Sequence, residues 1–226
     1  MVGGSGPAEV LWPGPQYRVA RRASGAEFHT IRPEDAVSPT AGNRFDVLGG
    51  GVLYAADRVE CCFVETLARF RPSPEVRNAV GSDPGYMEVG TVPRQWREDR
   101  LIFTIDCEDP LPFLDVDHPD SWEHLTRELI GIGISLDEHL DGSDIRSRDR
   151  ILTRRLASLA FTARADNGQP RYSGIRYASR LATADENWKC WAIFGGTPVT
   201  VRESRVVEKN DSALVGVCRR LGLNAF

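Results

Sequence analysis

The sequence predicts an α+β fold in which mostly antiparallel strands surround a few helices. Short apolar runs bounded by turn residues have strand character, Val52–Ala56 among them, whereas helical spacing is clearest over about 58–70 and 150–165. The 14 prolines and 21 glycines provide many turns. We therefore expect one elaborated domain over 16–226, preceded by a flexible arm at 1–15.

The first two strands lie on either side of an irregular stretch. Residues 1–15 are too rich in glycine and proline for a helix and lead into a strand at 16–20. A proline-containing stretch extends to Arg44, and Gly49–Gly51 then form a turn. The apolar run that follows, 52–56, is predicted to be a short buried strand.

Capping residues and an apolar face predict a helix over about 58–70. Asp57 is the expected N-cap, and Glu60, three residues later, completes a capping box. At about 100° per residue, one sector forms the core face, with Val59, Phe63, Thr66, Leu67 and Phe70. Glu65 points about 140° from the middle of that sector, so it projects into solvent or a cleft.

The remaining elements follow a polar connection that contains one expected strand at 86–92. Further strands are predicted at five apolar runs: 101–107, 111–116, 173–178, 190–194 and 198–207. Helical segments are expected from Ser121, over 150–165 and over 212–221, the last ending at Gly222.

The charge of the chain argues weakly against nucleic-acid or membrane partners. Lys and Arg number 28 and Asp and Glu 32, for a net charge of −4. The distribution is uneven, because residues 101–140 sum to −9 whereas 141–180, with nine arginines, sum to +5. The arginine-rich block either recognises phosphate or carboxylate groups or pairs with the acidic block, and general experience favours the second.

The five cysteines and four histidines show neither a disulfide framework nor the spacing of a metal site. The amino terminus lacks a signal-peptide pattern, and no later stretch approaches the length of a membrane span. We therefore expect a cytoplasmic protein with reduced thiols and no metal cofactor.

Polar residues stand at the ends of several apolar elements: Tyr17, Arg18, Arg44, Tyr54, Glu65, Tyr177 and Ser179. The stretches that carry them resemble the RES domain family in order and spacing: 16–20, 42–46, 52–56 followed by Glu65, and 174–180. Tyr54 and Glu65 are eleven residues apart, and 150–157 resembles the helix that the family places before its last strands. The resemblance covers about 16–196. The chain departs from it with Gly-Asn-Arg-Phe-Asp at 42–46, where the family often has Gly-Gly-Arg-Trp-Asn, and with a longer segment at 71–100.

The resemblance implies an ADP-ribosyltransferase-like fold and cleavage of the nicotinamide–ribose bond, with NAD as substrate and inorganic phosphate as co-substrate. It also implies a toxin that is inhibited by an antitoxin with a helix-turn-helix domain. Several alternatives stay open: an NAD glycohydrolase, an ADP-ribosyltransferase acting on a macromolecule, a non-toxin metabolic enzyme, or a nucleotide-binding module. A homodimer is also left open.

The resemblance assigns catalytic roles to Glu65, Tyr54 and Arg18. Cleavage develops positive charge on the ribose C1′, and Glu65 is the candidate carboxylate that stabilises it. The simpler alternative for Glu65 is an ion pair with Arg69, four residues later on the same helix. Tyr54 can stack on nicotinamide, and Arg18, with Arg44, suits the pyrophosphate or an incoming phosphate.

The remaining candidates form a binding set. Ser179 follows an apolar strand and has no neighbouring histidine or lysine in the sequence to activate it, so we interpret it as an orienting group rather than a nucleophile. Tyr177, Arg180 and Asn187 complete the predicted binding residues.

Overall fold

The strands of the computed structural model, which describes residues 6–76, 90–136, 138–183 and 185–225, form a large sheet and a small one. In chain order they are β1 (Glu9–Val10), β2 (Gln16–Arg21), β3 (Val52–Ala56), β4 (Thr91–Val92), β5 (Arg100–Cys107), β6 (Phe113–Asp115), β7 (Gly174–Ala178), β8 (Lys189–Phe194), β9 (Val199–Val206) and β10 (Asn224–Ala225). The eight-stranded sheet has the order β1-β6-β7-β8-β3-β2-β5-β9. Its pairs are antiparallel except β6–β7, and β10 lies parallel to β4 in the second sheet.

Helices connect these strands. They are α1 (Pro33–Ala36), α2 (Val59–Leu67), α3 (Arg94–Glu98), α4 (Pro119–Gly131), α5 (Gly142–Ile145), α6 (Arg150–Thr162) and α7 (Ser212–Leu221). The predicted α+β class, with mostly antiparallel strands, is confirmed. Of the predicted strand at 86–92 only Thr91–Val92 is seen, and 86–89 lie outside the described residues. None of the helices in the described ranges is both long and apolar enough to cross a bilayer.

Both faces of the central strands are buried, which explains their continuous apolar runs. Successive side chains of a strand point to opposite faces, and alternate residues of β3 accordingly belong to two different apolar clusters. Val52 and Ala56 pack in the larger cluster, with side chains of α2, α6 and α7. Leu53 and Ala55 pack in the smaller one, which consists largely of strand residues.

Residues 9–12 lie on the sheet and correct the prediction of a loose arm for this segment. Glu9 and Val10 pair with β6. The Trp12 ring stacks 5.5 Å from Phe113, and its Nε1 donates a hydrogen bond of 2.9 Å to Asp106 Oδ1. An indole that covers apolar surface while its N–H finds an acceptor ties this segment to the sheet.

The start of α2 differs from the prediction. The N-cap residue is Arg58, whose side chain forms no capping hydrogen bond, and the capping box between Asp57 and Glu60 does not form. The Asp57 N–H donates instead to the Lys189 carbonyl at 3.0 Å, so Asp57 continues the strand pairing. Cross-strand pairing has therefore prevailed over a local capping signal, and the helix begins at Val59.

The buried face of α2 is wider than the predicted sector. The buried residues are Cys61, Cys62, Phe63, Val64 and Leu67, whereas Val59, Thr66 and Phe70 are half-buried. The reason is that α2 packs against α7 as well as against β2 and β3. Glu65 is exposed, as its angular position predicts.

The acidic and arginine-rich blocks pair only in part. Arg176 forms an ion pair with Asp115, and Arg146 lies 3.5 Å from Asp117. Arg171 pairs instead with Glu9, outside the acidic block. Arg150, Arg154 and Arg164 donate to backbone carbonyl groups, and Arg180 lines the cavity described below.

Candidate functional site

A split in the large sheet creates the candidate site. β2 and β3 share a single residue pair, Tyr17 with Ala56, before they diverge. Arg18 bridges the gap, its Nε donating to the Gly25 carbonyl at 2.9 Å and its Nη1 to the Tyr54 carbonyl at 2.8 Å. Burial lowers the pKa of Arg18. The guanidinium is thus fixed by the fold at the point where the strands separate.

A cavity of about 640 Å³ opens at this split. Its wall includes the charged side chains of Arg18, Arg44, Glu65, Arg69, Arg150 and Arg180. Among the described residues that line it, Glu65 is the one carboxylate. The volume lies within the usual range for small-molecule sites, and the excess of arginines favours an anionic ligand.

Glu65 is held by a serine that directly follows β7. The Ser179 hydroxyl donates to Glu65 Oε1 at 2.7 Å, and Ser179 is only 5% exposed. The serine is itself fixed, since its N–H donates to the Trp188 carbonyl at 3.0 Å and its oxygen accepts from the Leu181 N–H at 3.2 Å. This chain of hydrogen bonds orients one carboxylate oxygen, and the other accepts no hydrogen bond from the described residues.

The alternative role for Glu65, an ion pair with Arg69, does not form within the described residues. The Arg69 guanidinium lies over the Phe70 ring, 4.9 Å from its centroid. Glu65 therefore faces the cavity, and Arg69, one turn away on the same helix, does not neutralise its charge.

The Tyr54 hydroxyl is committed to a buried carboxylate. It donates to Asp46 Oδ1 at 2.9 Å and accepts from the Phe45 N–H at 3.2 Å. Asp46 is fully buried, and its Oδ2 accepts from the Asn43 N–H at 2.6 Å. Burial, with the charge of Asp46 added to it, raises the pKa of Tyr54 well above its usual value. The hydroxyl therefore stays protonated at neutral pH and fixes the loop, and the ring remains part of the cavity wall.

Arg44 is sandwiched at the same end of the cavity. Its guanidinium carbon lies 5.1 Å from the Phe45 ring centroid and 5.3 Å from that of Tyr177. It donates to the Ile145 carbonyl, and its buried Nε has no hydrogen-bond partner among the described residues. Tyr177 is buried, which raises the pKa of its hydroxyl well above the usual value. Stacking on two rings orients Arg44 without neutralising it.

The loop that carries Arg44 is anchored to α6 by two arginines. Arg154 is 5% exposed and donates to four backbone carbonyls, those of Asp35, Ala36, Ser38 and Ala41. Arg150 donates to the carbonyls of Thr40 and Gly42. These guanidinium groups supply the hydrogen bonds that the carbonyl groups of the loop would otherwise receive in a helix or a sheet.

The structure brings together most of the predicted site residues. Lining the cavity are Glu65, Tyr54, Arg18, Arg44, Tyr177 and Arg180, and Ser179 lies directly behind Glu65. Asn187 is different, because it is exposed in the β7–β8 connection and does not line the cavity.

Sequence reasoning missed several residues of the site. Asp46 and Asn43 lie in the 42–46 stretch that carries Arg44. Their closeness to Arg44 in the sequence could have identified them as site residues. His29 lines the cavity, with its Nε2 3.7 Å from Asp46 Oδ2. Its backbone forms a bridge to Val52, a long-range contact that no sequence motif announces.

Comparison with known proteins identifies a family and a solved structure of similar fold. The family model described as the RES domain matches residues 15–214. No curated protein matches the chain. A crystal structure of the M. tuberculosis MbcT-MbcA toxin-antitoxin complex contains a chain with 16% sequence identity and a TM-score of 0.47. The alignment covers 88% of this chain and 86% of that one.

Proposed function

This chain belongs to the RES domain family, and on that premise we propose that it is an enzyme that cleaves the bond between nicotinamide and ribose in NAD. The observation that carries the proposal is the Glu65–Ser179 hydrogen bond of 2.7 Å at a cavity rich in arginine. A single oriented carboxylate beside several guanidinium groups suits a substrate that develops positive charge at one carbon and carries a pyrophosphate elsewhere.

Glu65 stabilises the developing cation. When the C1′–N bond breaks, its electron pair leaves with nicotinamide and the ribose ring acquires oxocarbenium character. Because Ser179 holds Oε1, Oε2 is available to the ribose hydroxyls. The serine thus acts as a positioning residue that fixes the carboxylate before the substrate arrives, which lowers the cost of reorganisation.

Arg18 and Arg44 bind the pyrophosphate together with Arg180. The first two already donate to backbone carbonyls, yet each guanidinium has more N–H donors than those bonds use. Their orientation is therefore fixed in advance, and binding costs little side-chain entropy. Tyr54 supplies a ring against nicotinamide, whereas its hydroxyl takes no part in proton transfer.

Inorganic phosphate is the proposed acceptor, so that the products are ADP-ribose 1″-phosphate and nicotinamide. A phosphate oxygen forms the new bond to C1′ as the bond to nicotinamide breaks. Water or a macromolecular nucleophile are the competing acceptors, and product masses distinguish all three. The acceptor depends on the shape and access of the pocket rather than on one motif.

The family resemblance also supports a wider proposal about the biological role. We place the catalytic domain at 16–226, with an ADP-ribosyltransferase-like fold, in the cytoplasm. The protein acts as a toxin, and an antitoxin with a helix-turn-helix domain inhibits it. Growth arrest on expression, relieved by Glu65→Ala, is the expected result. NAD cleavage without growth arrest would identify a metabolic enzyme instead.

Nicotinamide release from NAD tests the activity directly. Purified protein is assayed with and without phosphate alongside Glu65→Gln and Glu60→Gln. Glu60 is a matched control because it is an exposed glutamate of the same helix that does not line the cavity. We expect release by the wild type and Glu60→Gln and its loss in Glu65→Gln. Folded wild-type protein that releases no nicotinamide under either condition would refute the proposal and favour a binding module.

A further inference from the structure

One arginine of the cavity wall has no hydrogen-bonding role in the described structure. Arg69 lines the cavity and is exposed, and within the described ranges its side chain makes no hydrogen bond or ion pair. Arg18, Arg44 and Arg150 differ, because each donates to backbone carbonyl groups. Arg180 is already assigned to the pyrophosphate. The donors of Arg69 are therefore available to a second anion.

Arg69 lies on the same side of its helix as Glu65. Most cavity-lining residues of this segment share the spacing of one helical face: Cys62, Glu65, Thr66 and Arg69. Helix α2 runs directly into a 3-10 turn, Ala68–Phe70, which carries Arg69. Helical side chains four residues apart have Cβ atoms about 5–6 Å from each other. A ligand bound by Arg69 therefore lies beside the carboxylate that faces the ribose C1′.

The guanidinium group of Arg69 is oriented without the loss of a donor. Its carbon lies 4.9 Å from the centroid of the Phe70 ring. Phe70 in turn packs edge-on against Trp96, with the ring centroids 6.3 Å apart, and Trp96 is buried in the core. Stacking on a ring that the core holds limits the movement of the arginine, while its N–H groups stay free to donate.

An anionic acceptor needs a cation at this position. Glu65 carries the negative charge that stabilises the ribosyl cation, and the same charge repels an incoming phosphate. A guanidinium group one turn away offsets that repulsion and can donate to two phosphate oxygens at once. Water carries no charge, so as an acceptor it gains little from Arg69.

We infer that Arg69 binds the phosphate dianion that attacks C1′, and that this contact makes inorganic phosphate the preferred acceptor over water. The inference rests on the proposed function, in which Glu65 faces C1′ and other arginines bind the pyrophosphate. A phosphate oxygen supplies the electron pair of the new bond to C1′, and the pair of the broken bond leaves with nicotinamide. Nicotinamide leaves as a neutral ring and the phosphate keeps its proton, so the step needs no general base.

Phosphate binding by isothermal titration calorimetry tests this contact without turnover. Inorganic phosphate is titrated into the full chain in the presence of saturating ADP, which occupies the arginines that bind the pyrophosphate. The variants are Arg69→Gln and Arg71→Gln. Arg71 is a matched control because it is exposed, does not line the cavity, and has a side chain without a hydrogen bond or ion pair to any described residue. Both substitutions remove a positive charge, so a general electrostatic effect would appear in both.

We expect Arg69→Gln to weaken phosphate binding by about tenfold, as for the loss of a charge-assisted hydrogen bond, and Arg71→Gln to bind like the wild type. Arg69→Lys should lie between them, because an ammonium group keeps the charge but lacks the planar pair of donors. In turnover, Arg69→Gln should raise the KM for phosphate by a similar factor and leave the KM for NAD unchanged. The products should shift from ADP-ribose 1″-phosphate toward ADP-ribose.

Three results would overturn the inference: a wild type that binds no phosphate in the presence of ADP, equal affinities in the wild type and Arg69→Gln, or equal weakening in Arg69→Gln and Arg71→Gln. Any of these in a protein that releases nicotinamide from NAD would leave the proposed function standing. Phosphate binding that depends on Arg69, in a protein that releases no nicotinamide, would refute the proposed function and leave Arg69 as a phosphate-binding residue.

Discussion

Replacing Arg154 with methionine should destabilise the protein and disturb the cavity at a distance. The buried guanidinium donates to the carbonyls of Asp35, Ala36 and Ser38 at 2.7–2.8 Å and also to that of Ala41. Methionine keeps much of the apolar stem but donates no hydrogen bond. The loop that leads to the cavity would then have four carbonyls without these partners.

The size of the effect follows from those four bonds. A typical internal hydrogen bond contributes about 0.5–1.5 kcal/mol, so their loss costs about 2–6 kcal/mol. Burial of the guanidinium is itself unfavourable, and it lowers the pKa of Arg154. Because methionine carries no charge to bury, we expect a loss of unfolding free energy toward the lower end of that range. For a protein of this size, a loss of about 1 kcal/mol in unfolding free energy lowers the melting temperature by about 2–4 °C. The melting temperature of Arg154→Met should therefore fall by roughly 4–24 °C.

Thermal unfolding followed by circular dichroism measures the change, with Arg155→Met as the control. Arg155 is the adjacent, exposed arginine of α6, and its replacement should leave the melting temperature unchanged. Arg154→Lys should lie between the wild type and Arg154→Met, because an ammonium group has fewer donors than a guanidinium. Equal melting temperatures for Arg154→Met and Arg155→Met would show that the arginine does not anchor the loop.

Two further predictions concern the site. Ser179→Ala should lower kcat for nicotinamide release by about tenfold with little change in KM for NAD, because it frees Glu65 from its 2.7 Å hydrogen bond; an unchanged kcat would exclude a positioning role. Tyr54 has a raised pKa in the folded state, so the stability it contributes is complete below its usual pKa of 10.0 and is lost as pH rises above that value. Tyr54→Phe should therefore make the melting temperature fall less steeply above pH 10.0 than in the wild type, and identical alkaline profiles would contradict the assignment.

The strands were the most predictable part of the fold because their signal is local. The predicted strand at 52–56 has the bounds of β3, and the apolar run at 190–194 matches β8 to within one residue. Both strands are buried on both faces, so almost every residue in them is apolar. The start of α2 was less predictable, since Asp57 is engaged by the distant Lys189 rather than by its own helix.

The position of a site residue on its own helix could be predicted from the sequence, whereas its contacts with residues of other elements could not. Periodicity alone placed Glu65 off the core face of α2, and that position is confirmed. Its partner Ser179 lies 114 residues away, so only the fold could reveal their hydrogen bond. The role of Arg154 could not be predicted for another reason. Its partners are backbone carbonyl groups, and because every residue has one, the sequence contains no pattern that marks them.

The release of nicotinamide from NAD by purified protein in phosphate buffer, compared between the wild type and Glu65→Gln, tests the central claim most directly. The amide keeps the shape of the side chain but removes the charge that would stabilise the ribosyl cation. We predict steady release by the wild type and a rate lower by at least about 10²-fold in Glu65→Gln with an unchanged melting temperature. Equal rates in the two proteins would contradict the assignment of Glu65 as the catalytic carboxylate.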